Sequence, residues 1–285
     1  MILSWRNFSL NLTARTHIMG VVNTTPDSFS DGGLFFDGDV AVAHALRLVE
    51  EGADIIDIGG ESTRPGSDPV SPDEELRRTI PVIRAVSRAV SVPVSIDTCK
   101  ADVAQQALDA GASMVNDISG LRFDPEMADV VARAGVPVIV MHIRGKPKVM
   151  QVNPTYGALI PEVTAYLRES IAIAAKAGIP PGMVMIDPGI GFGKTFDHNL
   201  QIIRDLGEFL KLGHPVVIGV SRKAFLGKIL GDAPPSERLE GTAAAVAISI
   251  FNGAHIVRVH DVREMARVAR VADAVRRGTV AVLAD

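Results

Sequence analysis

One unit recurs along this chain of 285 residues: a short apolar run, then a segment with helical periodicity. The runs show no alternation of polar and apolar side chains, which is typical of parallel strands covered on both faces. We count eight of them, at 18–22, 55–58, 92–96, 114–115, 138–141, 183–186, 216–220 and 256–257. Such a series restricts the chain to the α/β folds that contain a parallel sheet.

The segments between these runs place apolar residues three and four positions apart, as one face of a helix requires. They lie at 39–51, 72–90, 100–110, 125–134, 161–177, 198–210, 236–251 and 261–277. Eight strand-then-helix units predict a single (β/α)8 TIM barrel over residues 16–285. Residues 1–15 are expected to form an N-terminal extension or hairpin under the barrel floor. A doubly wound open sheet is the alternative fold, but it needs fewer units or a second domain.

Composition excludes several classes of protein. Hydrophobic residues make up 47% and charged residues 22%, as expected for one globular domain, and a net charge of −4 gives no basic footprint for nucleic acid. The longest apolar stretch, 242–251, is too short to cross a membrane. A single cysteine and a start without a basic and then apolar leader favour a reducing, cytoplasmic location.

Polar side chains follow the apolar runs at the point where each run ends. Asp97, Asn116 and Asp187 end three different runs. One such acid is often only the cap of the next helix. In a barrel, however, all the carboxyl ends of the strands meet on one face. Three acceptors at equivalent depth predict a pocket that reads a heterocycle with several N–H donors, such as an aminopyrimidine ring.

Cations and glycines at the same strand ends predict an anion site. The segment 59–66 places Arg64 between glycines, and an arginine can grip phosphate or carboxylate with two hydrogen bonds. Arg258 and His260 follow the last strand with strand alternation, so their side chains point the same way. Barrels commonly bind phosphate after strands seven and eight. Lys223 stands at the inner rim after the seventh strand.

The segment 187–195 contains a Gly-Lys-Thr sequence but has one residue too few between its glycines for a nucleotide-binding loop. Its glycines instead suit a chain that passes close under a ring, with Phe192 as an apolar wall. Cys99 is interpreted as a small packing residue near Asp97 and not as a nucleophile.

Together these stretches resemble the dihydropteroate synthases, the folate-pathway transferases that sulfonamides inhibit. The matching stretches are 20–33, 52–66, 95–100, 111–118, 141–142, 187–194, 218–227 and 253–264. The resemblance implies that 6-hydroxymethyl-7,8-dihydropterin diphosphate is joined to p-aminobenzoate, which gives 7,8-dihydropteroate and diphosphate. It also implies Mg²⁺ as cofactor and a homodimer formed through late helices.

The resemblance further implies a role for individual residues, with Asp97 and Lys223 acting in catalysis and Asn23 binding the metal. The residues implied in pterin binding are Asp97, Asn116, Met141, Asp187 and Lys223. Those implied in diphosphate binding are Thr63, Arg64, Arg258 and His260. Those implied in p-aminobenzoate binding are Phe29, Pro65, Phe192, Ser221 and Lys223.

Two other functions use part of the same residues. A methyltetrahydrofolate-dependent corrinoid methyltransferase would share the acids but has no use for a diphosphate site. A noncatalytic pterin-binding paralogue would be expected to lack some of Asn23, Lys223, Arg258 and His260, all of which are present.

Overall fold

A computed structural model of the chain describes residues 1–25 and 38–280. After a short antiparallel hairpin, β1 (Ile2–Trp5) and β2 (Phe8–Asn11), eight parallel strands form one sheet. These strands are β3 (His17–Asn23), β4 (Ile55–Gly59), β5 (Val94–Asp97), β6 (Met114–Asp117), β7 (Val138–Met141), β8 (Val184–Asp187), β9 (Val217–Ile218) and β10 (Ile256–Val259). The predicted eight-stranded parallel barrel is confirmed.

The sheet closes on itself. Its strand order is β8-β7-β6-β5-β4-β3-β10-β9, and a parallel bridge between Ile186 and Val216 brings β8 beside the start of β9. The register pairs Asp97 with Asn116 and Met141 with Asp187. Since Asn116 also pairs with Ile139, the Met141–Asp187 pair lies two residues further along the strands than the Asp97–Asn116 pair. The three acceptors therefore gather at the carboxyl end of the barrel, as predicted, but Asp187 is not at the same depth as the other two.

Helices surround the barrel, and the described residues contain nine of them. They are α1 (Gly38–Glu50), α2 (Pro72–Ala89), α3 (Ala101–Ala110), α4 (Met127–Ala134), α5 (Leu159–Lys176), α6 (Phe196–Arg204), α7 (Ala224–Ile229), α8 (Leu239–Phe251) and α9 (Val262–Arg277). The apolar strands pack against them, and Ile56, Ile96 and Ile186 are completely buried. No helix in the described ranges has the length and apolar character needed to cross a membrane.

Two predicted helices differ from the structure, and one observed helix was not predicted. The predicted helix 198–210 is α6, which ends at Arg204 and is capped by Asp205, followed by a 3₁₀ turn, Leu206–Leu212. The predicted helix 236–251 begins three residues later, at Leu239, after a short 3₁₀ turn. Helix α7 was not predicted, since six residues are too few to show a helical period.

The N-terminal hairpin lies under the barrel floor, as predicted. The Trp5 indole Nε1 donates to the Ser113 carbonyl at 2.7 Å, and Arg6 Nη1 donates to the Ala112 carbonyl at 3.0 Å. Both acceptors precede β6 and therefore lie at the amino ends of the strands. The opposite face of the barrel, where the polar residues gather, is not covered by this hairpin.

Candidate active site

Arg258, on β10, is the centre of the polar cluster at the carboxyl ends of the strands. Its Nε donates to Asp57 Oδ2 at 2.7 Å and its Nη2 donates to Asp97 Oδ2 at 2.6 Å. Burial alone would lower the pKa of Arg258, but the two carboxylates raise it. The predicted anion contact is thus a permanently charged group shared between two acids.

Asp57 is a member of the site that sequence reasoning missed. Its side chain is completely buried, and its Oδ2 also accepts from Asn116 Nδ2 at 3.0 Å. Because Asn116 donates its amide here, its side-chain oxygen is left as an acceptor. A signal existed: Asp57 is the one acid inside an otherwise apolar strand, β4, and a buried acid needs a partner.

Burial shifts the pKa values of the predicted catalytic pair toward neutrality. Desolvation, opposed by Arg258 and reinforced by Asp57, raises the pKa of Asp97 to about 7. Desolvation and the nearby Arg258 lower the pKa of Lys223 to about 8. Both groups can therefore change charge within a unit or so of neutral pH, as groups that take part in chemistry often do.

Asp187 ends β8 and is held by the turn that follows it. Its Oδ1 accepts from the backbone N–H of Gly189 at 2.7 Å, and burial raises the pKa of its carboxyl to about 6. Gly189 has a φ of +71°, and a Cβ there would lie 1.9 Å from the His142 carbonyl oxygen. Only glycine fits, because the turn passes this close under the end of β7.

A small apolar cluster, separate from the main core, lies beside these acids. It consists of Ile118, Met141, Ile143, Met150 and Phe192. The Lys223 ammonium lies 4.5 Å from the centre of the Phe192 ring, within cation–π distance. Met141 and Phe192, predicted to contact different substrates, thus belong to one continuous apolar surface.

Cys99 packs against that apolar cluster, as predicted. Desolvation by burial, assisted by nearby acids, raises the pKa of its thiol to about 12. A thiol that stays protonated at neutral pH is a poor nucleophile.

Ser221 and His260 form a hydrogen-bonded pair. Ser221 Oγ lies 2.9 Å from His260 Nδ1, and the His260 backbone N–H donates to the same Oγ at 3.2 Å. Burial and Arg258 lower the pKa of His260 to about 3, so its ring is neutral. Since Oγ already accepts from the backbone, we assign its own proton to Nδ1. His260 then carries its proton on Nε2 and can donate it to an anion.

The loop that follows the second strand of the barrel, residues 60–71 between β4 and α2 (the second loop), approaches the cluster with its predicted anion contacts. Thr63 is half-buried and lines a small cavity together with Asp97 and Ile118. Arg64 is exposed but lies close enough to Lys223 to contribute to lowering its pKa. Pro65 is also exposed.

Hydrogen bonds anchor both ends of that loop. The Lys100 ammonium bonds the Glu61 and Glu75 carboxylates, and Glu61 Oε2 also accepts from the Val70 backbone N–H at 3.1 Å. The Gly66 backbone N–H donates to the Pro147 carbonyl at 3.2 Å. The loop is therefore tied to α2, α3 and the segment after β7.

Asn23, the predicted metal ligand, is half-buried at the end of β3. Residues 1–25 and 38–280 contain no cluster of three or more histidines, cysteines or acids that could hold a metal. A single amide oxygen from Asn23 fits Mg²⁺, because this ion is usually coordinated mainly by water and by the phosphate oxygens of a substrate. Phe29, predicted to contact p-aminobenzoate, lies outside the described residues.

Comparison with known proteins first defines the class. Residues 19–260 match the family described as pterin binding enzymes, and the chain belongs to that family. This agrees with a barrel that gathers buried acids and an apolar surface at one face.

Individual relatives show which member of the pterin-binding family the chain resembles. The chain is 51% identical to a dihydropteroate synthase of Synechocystis sp. over 92% of this chain and 91% of the relative. It is 48% identical to that of Bacillus subtilis over 93% of this chain and 90% of the relative. A Yersinia pestis dihydropteroate synthase solved with a sulfonamide drug complex superposes with a TM-score of 0.92 at 41% identity, covering 97% of this chain and 100% of that one.

A Xanthomonas albilineans dihydropteroate synthase solved with 7,8-dihydropteroate has a TM-score of 0.88 at 42% identity, with 97% and 99% of the two chains covered. Within the pterin-binding family, the chain belongs to the dihydropteroate synthases. It is a transferase that joins 6-hydroxymethyl-7,8-dihydropterin diphosphate to p-aminobenzoate. This identification decides against the corrinoid methyltransferase and the noncatalytic paralogue.

Proposed function

We propose that the pterin is held at the carboxyl end of the barrel by Asp97, Asn116 and Asp187 and packs on Met141. The observation that supports this assignment is the register. Asp97 pairs with Asn116 across β5 and β6, and Asp187 pairs with Met141 across β8 and β7. A ring with several N–H donors would therefore meet acceptors along its edge and an apolar side chain at its face.

The diphosphate is proposed to lie beside Arg258 and His260, near Thr63 and Arg64. Arg258 gives two of its five N–H donors to Asp57 and Asp97, which leaves three for an anion. His260 offers its Nε2 proton, as its bond with Ser221 implies. Asn23 is proposed to bind Mg²⁺ with the diphosphate, where the ion would neutralise charge on the phosphate oxygens.

These groups favour departure of the diphosphate before the new bond forms. The C–O bond breaks as Arg258 and His260 stabilise the charge that collects on the leaving oxygen. The methylene carbon left on the pterin is electron-poor, and the Asp97 carboxylate is proposed to stabilise it. The p-aminobenzoate nitrogen then donates its lone pair to that carbon and releases one proton. This route requires no covalent enzyme nucleophile.

The second substrate is proposed to lie between Phe192 and the second loop, with Pro65 and Phe29 nearby. Lys223 stacks on the Phe192 ring and carries the charge that a carboxylate requires. Ser221 is proposed to contact the same carboxylate by turning its hydroxyl proton from His260 toward the bound substrate.

One experiment tests the reaction and the metal together. Purified protein is supplied with pterin diphosphate, p-aminobenzoate and Mg²⁺, and diphosphate release is followed as each component is omitted. We expect sustained release over many turnovers to require all three. Full release after chelation of divalent ions would remove Mg²⁺ from the proposal and leave the transferase activity standing.

We also propose that the protein is a homodimer and works in the cytoplasm. Helices α8 and α9 expose Ile248 (51%), Phe251 (60%), Val271 (66%) and Val275 (64%). Apolar side chains exposed side by side on packed helices suit burial against a second copy. Light scattering should give twice the monomer mass, and Val271→Glu should lower it. The single cysteine agrees with a reducing compartment.

A further inference from the structure

Lys194 is a buried lysine that the reaction leaves without a role. Its side chain is among the largest that are fully buried. Its ammonium bonds His142 Nδ1 at 2.8 Å and donates to the Gly189 carbonyl at 2.8 Å and the Phe192 carbonyl at 3.1 Å. Within the described ranges it forms no ion pair, so all of its hydrogen bonds go to neutral groups.

The three partners of Lys194 come from two different strand ends. His142 follows β7, whereas Gly189 and Phe192 belong to the turn after β8. Gly189 in turn donates its N–H to Asp187 Oδ1 at 2.7 Å. One ammonium group therefore holds the carbonyl of Gly189, the residue whose N–H orients Asp187, and the carbonyl of Phe192, the residue that carries the ring.

Other side chains hold the outer side of the same turn without adding charge. The Tyr156 hydroxyl donates to the Gly193 carbonyl at 2.7 Å, and Gln151 Nε2 donates to the Gly191 carbonyl at 2.7 Å. Asn199 Oδ1 accepts from the Gly191 backbone N–H at 2.7 Å. These bonds restrain the turn as Lys194 does, but of these four side chains only Lys194 carries a charge.

The charges around Asp187 explain why that cation matters. Burial raises the pKa of Asp187, and the Gly189 N–H and the charges of Lys223, Lys194 and Arg258 oppose the rise. Lys194 itself faces Asp187 and Lys223, and burial lowers its pKa to about 7.

The two histidines near Lys194 add no positive charge of their own at neutral pH. Burial and Lys194 lower the pKa of His142 to about 2, so that this ring is a neutral partner. His198, on α6, is a more exposed neighbour whose pKa is also lowered, by desolvation and by Lys194.

We propose that Lys194 is a positioning residue for both substrates, orienting Asp187 toward the pterin and Phe192 toward p-aminobenzoate while supplying positive charge beside the Asp187 carboxylate. The proposal rests on the assignment of Asp187 to the pterin site. The two effects of Lys194 can be measured separately. Its hold on the turn should set the KM for p-aminobenzoate, and its charge should set the pH at which pterin binding is lost.

The test compares Lys194→Met, which keeps the length of the side chain but loses its charge and donors, with Tyr156→Phe, which removes one neutral bond to the same turn. Pterin affinity is measured by calorimetry between about pH 5 and pH 8. In the wild type, affinity should fall as the pH is lowered, first as Asp97 takes up a proton near pH 7 and then as Asp187 does near pH 6. Lys194→Met should move the Asp187 step upward by about one pH unit, because a nearby cation has been lost.

In the same variant, the KM for p-aminobenzoate should rise by about tenfold or more, the loss expected when a turn that bears one wall of the pocket is released. Tyr156→Phe should leave the pH of the fall in place. A Lys194→Met protein whose pH profile and KM match those of Tyr156→Phe would overturn the proposal.

Asp187→Asn separates failure of this proposal from failure of the pterin assignment. If that variant binds pterin normally, the assignment of Asp187 is wrong and the role of Lys194 falls with it. If it loses pterin while Lys194→Met keeps the wild-type profile and KM, only the role of Lys194 is wrong.

Should Lys194→Met not fold, protein carrying lysine labelled with ¹³C at Cε gives a second test. In the wild-type protein, the lysine resonance with the lowest titration midpoint reports Lys194, since its pKa is about 7 and that of Lys223 is about 8. Addition of the pterin substrate should move that midpoint, and an unmoved midpoint would overturn the proposal.

Discussion

Replacing Asp57 with Asn tests whether a buried acid organises the reaction site. The substitution keeps the shape of the side chain but removes the charge that pairs with Arg258 at 2.7 Å. It also forces one amide group to satisfy both Arg258 and Asn116, which share Asp57 Oδ2. A hydrogen bond to a charged group contributes about 1.5–3 kcal/mol, and Arg258 keeps its second partner, Asp97.

We therefore expect the free energy of unfolding to fall by about 2–3 kcal/mol, measured by urea denaturation. The melting temperature should fall by roughly 5–10 °C. Pterin affinity, measured by calorimetry, should fall by about tenfold or more, because Asn116 and Arg258 both lose the group that holds them.

The matched control is Asp205→Asn, in an Arg–Asp pair that lies on the surface. Arg204 bonds Asp205 at 2.8 Å, and its side chain is 73% exposed. Exposed pairs contribute at most about 1 kcal/mol, so this variant should stay near the wild type in stability and pterin affinity. If Asp57→Asn changes stability and affinity no more than Asp205→Asn does, the reasoning about the buried acid is wrong.

Three further predictions concern the same pocket. Asp187→Asn should lower pterin affinity by about tenfold or more in calorimetry, because an amide turns a donor toward the ring's N–H groups; the exposed Asp129→Asn should not. Lys223→Ala should depress steady-state turnover strongly with little change in melting temperature, and normal kinetics would reduce Lys223 to part of a basic turn. Sulfonamide should bind poorly to the free protein and about 5- to 150-fold more tightly with diphosphate, Mg²⁺ and pterin present, since bound anion would draw Arg64 inward; equal affinity in both titrations would contradict that coupling.

The pH dependence of stability has a definite sign. The folded-state pKa of Asp97 is raised to about 7 and that of Asp187 to about 6, chiefly by burial. Each acid therefore stabilises the fold most when protonated, below its ordinary pKa near 4, and that contribution is lost as the pH rises through the folded value. Under the proposed pterin site, binding should show the opposite pH dependence, because it would require both acids as carboxylates. Near neutral pH the substrate-free protein is accordingly less stable than it would be with these two acids protonated.

The sequence predicted the parts of this site that follow from strand periodicity. Asp97, Asn116 and Asp187 could be placed at one end of the barrel because each directly ends an apolar run, and the barrel brings such ends together. Arg258 and His260 could be paired because residues two apart in a strand point the same way.

What escaped prediction depends on contacts between distant residues. Asp57 joins Arg258 across 201 positions, and nothing near Asp57 in the sequence indicates a cation. Lys194 was set aside as the end of an incomplete nucleotide loop, although its position is fixed by His142, 52 residues earlier. Helix α7 is too short for periodicity to detect. A side chain held by a far partner becomes visible only when the strands are assembled.

The tight passage at Gly189 affects how the pocket can change under selection by inhibitors. Any side chain there would collide with the His142 carbonyl oxygen, so the protein cannot reshape this surface by substitution at that position. Arg64 and Pro65 are exposed on the second loop, where substitutions usually change stability by no more than about 0.5 kcal/mol. A compound that relies on the loop would meet side chains whose replacement the fold tolerates, although each replacement would also remove a contact proposed for a substrate. A compound that rests against the backbone of the turn would meet a surface that substitution cannot reshape.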